Sequence, residues 1–333
     1  MARDQAPHST RRSFCRTLAG VLVAPGIAIA QGSTPVRRIG VLSVGNTPTP
    51  SELEASRLAL RDLGWIEDQN LIYERRYVGD KSELLTKSAE ELVGLKVDLI
   101  VTSGTDATLA AKRATSTIPI VMFSVGDPVL VGLVSNLSHP GGNITGFSIV
   151  SSELDAKRLE LLRELIPGIQ RVGELFNSRN PYYSAARPAY ERVYGSLRLE
   201  PIFLDVRATS DIEGAVAAAA QKKAQALVVP ADNLFNSNRD RIVRAALRYR
   251  LPTIVEDKDL LKSGGLMAYT FSNKERAQRY AAFVDKILRG AKPGDLPIEQ
   301  PTKFELVLNL KTAKALGLTI PQSLLLRADD MIQ

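Results

Sequence analysis

From Val36 onward the chain alternates short, unbroken apolar runs with amphipathic stretches, and no other feature restricts its fold as much. Arg38-Ile-Gly-Val-Leu-Ser-Val reads as a buried strand, and Ser51-Glu-Leu-Glu opens a helix as a capping box that ends at Gly64. Asn70 to Val78 is a second strand and Ser82 to Gly94 a second helix. Val97-Asp-Leu-Ile-Val-Thr-Ser runs straight into a helix from Thr105 to Ala114, and Ile118 to Val125 is a fourth strand. Strands covered on both faces are apolar throughout, so this pattern predicts a parallel sheet with helices on both sides.

The pattern then restarts. A helix from Ser152 to Ile166 places Leu154, Leu161, Leu162 and Leu165 on one stripe and stops at Pro167-Gly168. Arg171-Val-Gly-Glu-Leu-Phe-Asn-Ser-Arg-Asn-Pro181 repeats the Arg, Gly, Leu and Pro positions of Arg38-Ile-Gly-Val-Leu-Ser-Val-Gly-Asn-Thr-Pro48, as two halves opening on the same strand would. Strands follow at Glu200–Leu204, Ala226–Val229, Leu251–Val255 and Gly265–Thr270, with helices between them that include Asp211–Lys223 and Asn238–Arg250. Asn273 to Arg289 is a further helix, and a Pro-rich passage from Lys292 to Pro301 leads to a strand at Phe304–Asn309 and a helix at Lys311–Leu316. A chain of 333 residues is long enough for two cores. The expected fold class is α/β, with two doubly wound, Rossmann-like domains between which the chain crosses more than once.

The first 30 residues read as an export leader. Thr10-Arg11-Arg12-Ser13-Phe14 precedes an apolar run from Leu18 to Ala30, which ends in Ala28-Ile29-Ala30, a small-x-small cleavage signal before Gln31. The paired arginines resemble a twin-arginine export signal, and an ordinary secretory leader fits the same residues. The apolar run is too short and too interrupted by Gly and Pro to span a bilayer, so the mature chain is expected in the periplasm without a membrane span. Cleavage removes Arg3, Arg11, Arg12 and Arg16 against Asp4, which lowers the formal net charge from +7 to about +4. That mild basicity, without Lys/Arg runs or interleaved aromatics, does not predict nucleic-acid binding. Cys15, the single cysteine, and His8 leave with the leader, so His139 stands alone and neither a disulfide nor a His-based metal site is expected.

Enzyme signatures are missing. Gly141-Gly142-Asn143-Ile144-Thr145-Gly146 lacks the lysine of a P-loop, no G-x-G-x-x-G follows the first strand, and no Gly-x-Ser-x-Gly occurs. No cofactor and no catalytic residue is therefore assigned. What remains is binding geometry, because ligands of open parallel sheets lie beyond the carboxyl ends of the strands. Ser43, Ser103, Thr105, Ser124, Asn177 and Asp232 all stand at strand ends that lead into helices. The helix starting at Thr105 presents backbone N–H groups suited to a carboxylate, while the same hydroxyls also serve as helix caps. Asp127 before Pro128 reads equally as a helix cap and as a carboxylate for a ligand amine; Asp232, Glu256 and Asp257 are rival acidic partners. Tyr182, Tyr183 and Tyr269 are candidates for stacking on an aromatic ligand. Between Ser124 and Ser148, Val129–Leu137 is expected as a short helix, Pro140-Gly-Gly as a turn and Asn143–Ser148 as the strand leading to the second half.

Asp127-Pro-Val, Gly132-Leu-Val-Ser-Asn-Leu, Pro140-Gly-Gly-Asn-Ile-Thr-Gly146 and Gly264-Gly-Leu-Met-Ala-Tyr269 together resemble the substrate-binding proteins of ABC transporters, in the tryptophan/tyrosine-type group. The stretch from Asp285-Lys-Ile-Leu-Arg-Gly to Gly317-Leu-Thr-Ile-Pro321 matches that group most closely. The resemblance implies a periplasmic-binding fold of type I: two Rossmann-like lobes, three hinge crossings and a ligand held between lobes that close on it. It places lobe I at 36–150 plus 268–298 and lobe II at 151–267 plus 299–333, and it carries Ser103, Thr105, Ser124, Asp127 and Asp232 over as ligand residues. The chain departs from the group at Ala268-Tyr-Thr-Phe271 and at Glu174, an acid inside an otherwise apolar strand. The implied partners are a small organic solute, amino-acid-like or an aromatic carboxylate, and an inner-membrane ABC permease. A periplasmic sensor docking on a membrane receptor, and an enzyme working through Asp127 and Asp232, are the alternatives from other classes.

Overall fold

The computed structural model describes residues 35–333 except 46, 47, 49, 80, 150, 151 and 257; the leader and cleavage site expected from the sequence, and Asp257, lie outside the described residues. The first half runs β1 (Arg37–Ser43), α1 (Pro50–Asp62), β2 (Leu71–Tyr77), α2 (Leu85–Gly94), β3 (Leu99–Ser103), α3 (Thr105–Ala114), β4 (Ile120–Val125) and β5 (Ile144–Ser148). Its five strands form a sheet in the order β2-β1-β3-β4-β5, and every pairing is parallel. The unbroken apolar runs of β3 and β4 are buried on both faces, one against Leu92, Ala107 and Ala111, the other against Leu60, Val284 and Ile287.

The second half runs α4 (Ser152–Leu165), β6 (Arg171–Phe176), α5 (Pro181–Ser196), β7 (Glu200–Asp205), α6 (Ile212–Gln221), β8 (Ala226–Val229), α7 (Asn233–Ser237), α8 (Arg239–Arg248), β9 (Thr253–Val255), α9 (Lys258–Lys262) and β10 (Met267–Phe271). Its sheet begins β7-β6-β8-β9-β10, the same order as the first. The repeated Arg-x-Gly motif thus opens the second-from-edge strand in each lobe. A Cβ on Gly40 would meet Leu92 at 3.1 Å and one on Gly173 would meet Leu227 at 3.2 Å, so both glycines let neighbouring side chains seat closely on the sheet.

After β10 the chain returns to lobe I as α10 (Asn273–Leu288), then re-enters lobe II as β11 (Phe304–Asn309), α11 (Leu310–Leu316), α12 (Gln322–Arg327) and β12 (Asp330–Ile332). β11 pairs antiparallel with β10 and parallel with β12, so the second sheet is mixed where an all-parallel sheet was expected. Lobe I, expected to resume at 268, resumes after Phe271, because residues 267–271 pair throughout with β11. The three crossings lie side by side: Ser148 N–H donates to Glu299 O at 2.9 Å, and Phe147 meets Phe271 edge-on with centroids 5.6 Å apart. Val129–Leu137 is a turn instead of the expected helix. Gly132 takes φ +69, and the Leu133 amide closes on Pro128 O, which ends the turn after one revolution.

Candidate functional site

The carboxyl ends of the two sheets face each other across a cleft. On the lobe I side the chain passes from β3 through Gly104, at φ +92, directly into α3, which sets the first-turn amides of Thr105 and Asp106 at the cleft. Those amides have no carbonyl from a preceding turn to bond, and the aligned peptide dipoles favour an anion there. Beside them, the β4–β5 register slips between Met122 and Val125, and Ser124 takes φ +51. Among the described residues it is the one non-glycine residue inside a strand with a left-handed backbone, a conformation that costs about 1–2 kcal/mol. Such a bulge at a strand end re-aims a side chain, and here it carries Ser124 onto the cleft wall.

Lobe II contributes acids. Asp232 is buried, caps α7 by accepting from Leu234 N at 2.8 Å, and accepts from Asn180 Nδ2 at 3.0 Å and Asn177 Nδ2 at 3.3 Å. Burial pushes its carboxyl above the usual carboxylate range, while those three donors pull it back. Across the cleft, Asp106 is pushed up to about 7, first by burial and then by the charge of Asp232. Glu256, at the end of β9, pairs with Arg158 Nη1 at 2.8 Å. Arg158 is itself buried; it also donates to Asp155 at 2.9 Å and to Tyr269 O at 3.1 Å, tying Glu256 to the strand that leads into the second crossing. A buried cation with three acceptors positions a carboxylate more firmly than a solvated pair could.

Two spaces open here. A hollow of about 50 Å³ lies between the lobes, lined by Thr105, Asp106, Ser124, Asn177, Asp232 and Glu256. A chamber of about 580 Å³ adjoins it between α1 and the sheet of lobe I, with Ser43 and Ser103 on its wall and Asn233, Asn236, Ser237 and Arg239 of lobe II closing its cleft side. Ser124, Asn236 and Arg276 line both, and Arg276 is paired with Glu52 of α1. The Asn236 side-chain oxygen on that shared wall is buried without a hydrogen-bond partner. The lobes touch around this site: Asn233 Nδ2 donates to Ser103 O at 2.9 Å, and Tyr182 of α5 lies over Gly126.

Of the residues expected from the sequence, Thr105, Ser124, Asn177, Asp232 and Glu256 meet around the interlobe hollow, and Ser43 and Ser103 line the chamber. Two of the expected residues stand elsewhere. Asp127 accepts from Val129 N at 2.9 Å and Leu130 N at 3.0 Å, so it caps the turn and lines neither space. Tyr269 turns away because successive strand side chains alternate: with Thr270 on the cleft, the Tyr269 ring packs against Phe304 at 5.7 Å. Tyr182 and Tyr183 join a buried cluster in lobe II with Ala186 and Tyr190. Asp106, Asn180, Asn236 and Arg276 were not singled out. Asn180-Pro181 is a recognisable helix start, but nothing in the sequence places it beside Asp232.

Comparison with known proteins gives a consistent picture. A family profile described as ABC transporter substrate binding protein matches residues 54–332. A tyrosine-binding protein of Clostridioides difficile (strain R20291) is 26% identical over 283 residues, covering 85% of this chain and 81% of that protein. A conserved domain protein from Vibrio cholerae O1 biovar El Tor has a solved structure that superposes with a TM-score of 0.83 at 25% identity, over 89% of this chain and 99% of that one. The ABC domain in complex with L-Trp from Streptococcus pneumonia superposes with a TM-score of 0.81 at 26% identity, over 89% of this chain and 100% of that one.

Proposed function

The chain belongs to the family of ABC transporter substrate-binding proteins, and on that premise we propose that it is exported to the periplasm, captures an amino acid with an aromatic or other apolar side chain, and delivers it to an inner-membrane ABC permease without changing it chemically. One observation carries the ligand class: an anion-favouring helix start and a buried acidic group face each other across a hollow of about 50 Å³, the layout a zwitterionic head requires. The α-carboxylate sits at the first-turn amides of α3 with the Thr105 and Ser124 hydroxyls, and the ammonium faces Asp106, Asp232 and Glu256. The tyrosine-binding relative and the L-Trp complex agree with that class. A ligand that bridges both lobes favours the closed form, because only that form makes both sets of contacts.

The test is calorimetric titration of the purified protein with L-tyrosine, L-tryptophan and the remaining amino acids, alongside 4-hydroxyphenylacetate, which lacks the ammonium. One or more aromatic amino acids should bind one to one, and Asp232→Asn should weaken them roughly tenfold or more, as loss of a buried charged partner does. Because Asp106 titrates at about 7, an ammonium ligand should bind more tightly as pH rises from 6 to 8, with proton release on binding, and Asp106→Asn should remove that slope. A protein that binds none of the amino acids, or binds 4-hydroxyphenylacetate as tightly as L-tyrosine, contradicts the reading.

A further inference from the structure

The chamber beside the hollow is larger and longer than a single amino-acid side chain needs. Interiors hold few voids larger than a water molecule, whereas sites for drug-sized ligands measure roughly 300–1,000 Å³, the range into which 580 Å³ falls. Its length follows from strand register. Leu71, Tyr73, Arg75 and Tyr77 occupy alternate positions of β2, hence one face, and all four line the chamber. Tyr77 pairs with Ser43 at the cleft end of the sheet and Leu71 pairs with Arg37 at the far end. Six residue steps at about 3.3 Å make a run of roughly 20 Å from cleft to floor.

The lining changes along that run. At the cleft end stand Ser43, Ser103 and the unpartnered oxygen of Asn236. Midway, the Tyr73 and Tyr280 hydroxyls meet at 3.2 Å, and Arg75 lies 4.3 Å over the Tyr73 ring while pairing with Glu67. The floor is built from Leu60, Trp65 and Leu71, each buried, with the Arg57–Glu67 ion pair beside them. Helix α1 roofs the chamber with Leu53, Ser56 and Leu60, three positions of one helical face.

We infer that the chamber is the seat of the ligand's body, and that the solute is an elongated amphipathic molecule, longer than a one-ring amino acid, with its polar head in the interlobe hollow and an apolar or aromatic tail reaching the Trp65 floor. This rests on the proposed head site and adds the size and shape of what that head carries. The hydroxyl pair midway suits a hydroxyl or ether oxygen in the middle of the molecule.

Trp65 is the chain's single tryptophan, so its emission reports occupancy of the floor directly. The probes are L-tyrosine, the two-ring amino acid L-thyronine, and 4-phenoxyphenol, which has the body without the head. L-Thyronine should perturb Trp65 emission and bind roughly tenfold or more tightly than L-tyrosine, the gain an added apolar group makes in a fitting pocket. Two variants fill the chamber from separate walls, Ala277→Phe from α10 and Ser56→Phe from α1, and each should abolish that advantage while leaving the circular dichroism spectrum unchanged. If L-tyrosine binds as tightly as L-thyronine, or the advantage survives in both variants, the inference is overturned, and the head site stands on its response to Asp232→Asn. If 4-phenoxyphenol perturbs Trp65 in the unsubstituted protein but not in Ala277→Phe, while no amino acid binds, the chamber stands and the head reading falls. If no probe perturbs Trp65, the inference is overturned.

Discussion

Glu174 occupies the middle of β6, flanked by Val172, Gly173, Leu175 and Phe176, and it is only 4% exposed. It accepts a hydrogen bond from the Tyr194 hydroxyl of α5. Its carboxyl is pushed up to about 8, first by burial and then by the charges of Asp155 and Glu256, against the opposing pull of Tyr194 and Arg158. In the unfolded chain a glutamate titrates near 4.3, so between about 4.3 and 8 the folded protein holds a proton the unfolded chain has released. The stability this supplies is present at the acid end and is lost as pH rises through 8. Glu174→Gln keeps an acceptor for Tyr194 and removes the titration. Its melting temperature, read by circular dichroism, should nearly coincide with that of the parent at pH 5 and exceed it at pH 9. Parallel melting curves at both values would show that this carboxyl does not titrate in the window.

Between elements, the closing faces meet through glycines. A Cβ on Gly126 would sit 2.3 Å from the Tyr182 ring of α5, and one on Gly104 would sit 2.7 Å from Asn233 Nδ2 of α7. Gly104 also needs its φ of +92, but Gly126 lies outside the left-handed region, and the nearest atoms an alanine there would meet all belong to Tyr182 of lobe II. Gly126→Ala should leave the melting temperature of the free protein unchanged and weaken ligand binding roughly tenfold or more, since the contacts of the closed form become unreachable. Tyr182→Ala should restore part of that loss in the double variant; loss of melting temperature without loss of affinity would place Gly126 in folding instead. The strands and long helices were legible because their residues carry their own periodicity. The bulge at Ser124 was not, because Met122-Phe-Ser-Val125 reads as an ordinary strand and the slip arises only on pairing with β5. Val129–Leu137 carried a helical pattern that Gly132 and the Asp127 cap override. The chamber was out of reach for a different reason: Trp65, Tyr73, Phe123 and Tyr280 come from separate elements, and only the sheet order makes them neighbours.

For the whole molecule, one strand order used twice puts two sets of strand ends face to face, and three adjacent crossings join them. The repeated Arg-x-Gly strand made this duplication readable from sequence alone. Which residues meet across the cleft depended on the relative placement of the lobes, so Thr105, Ser124 and Asp232 could be named as candidates while Asp106 and Arg276 could not.

The central claim is that ligand draws two rigid lobes together. It is tested most directly by the distance between spin labels on Lys87→Cys in α2 and Lys222→Cys after α6, both exposed, in a chain whose one native cysteine is replaced as Cys15→Ser. Pulsed electron resonance should give a broad distribution extending to longer distances for the free protein. Saturation with an aromatic amino acid shown by titration to bind should collapse it to one narrower, shorter distance. An unchanged distribution at saturation would contradict the account.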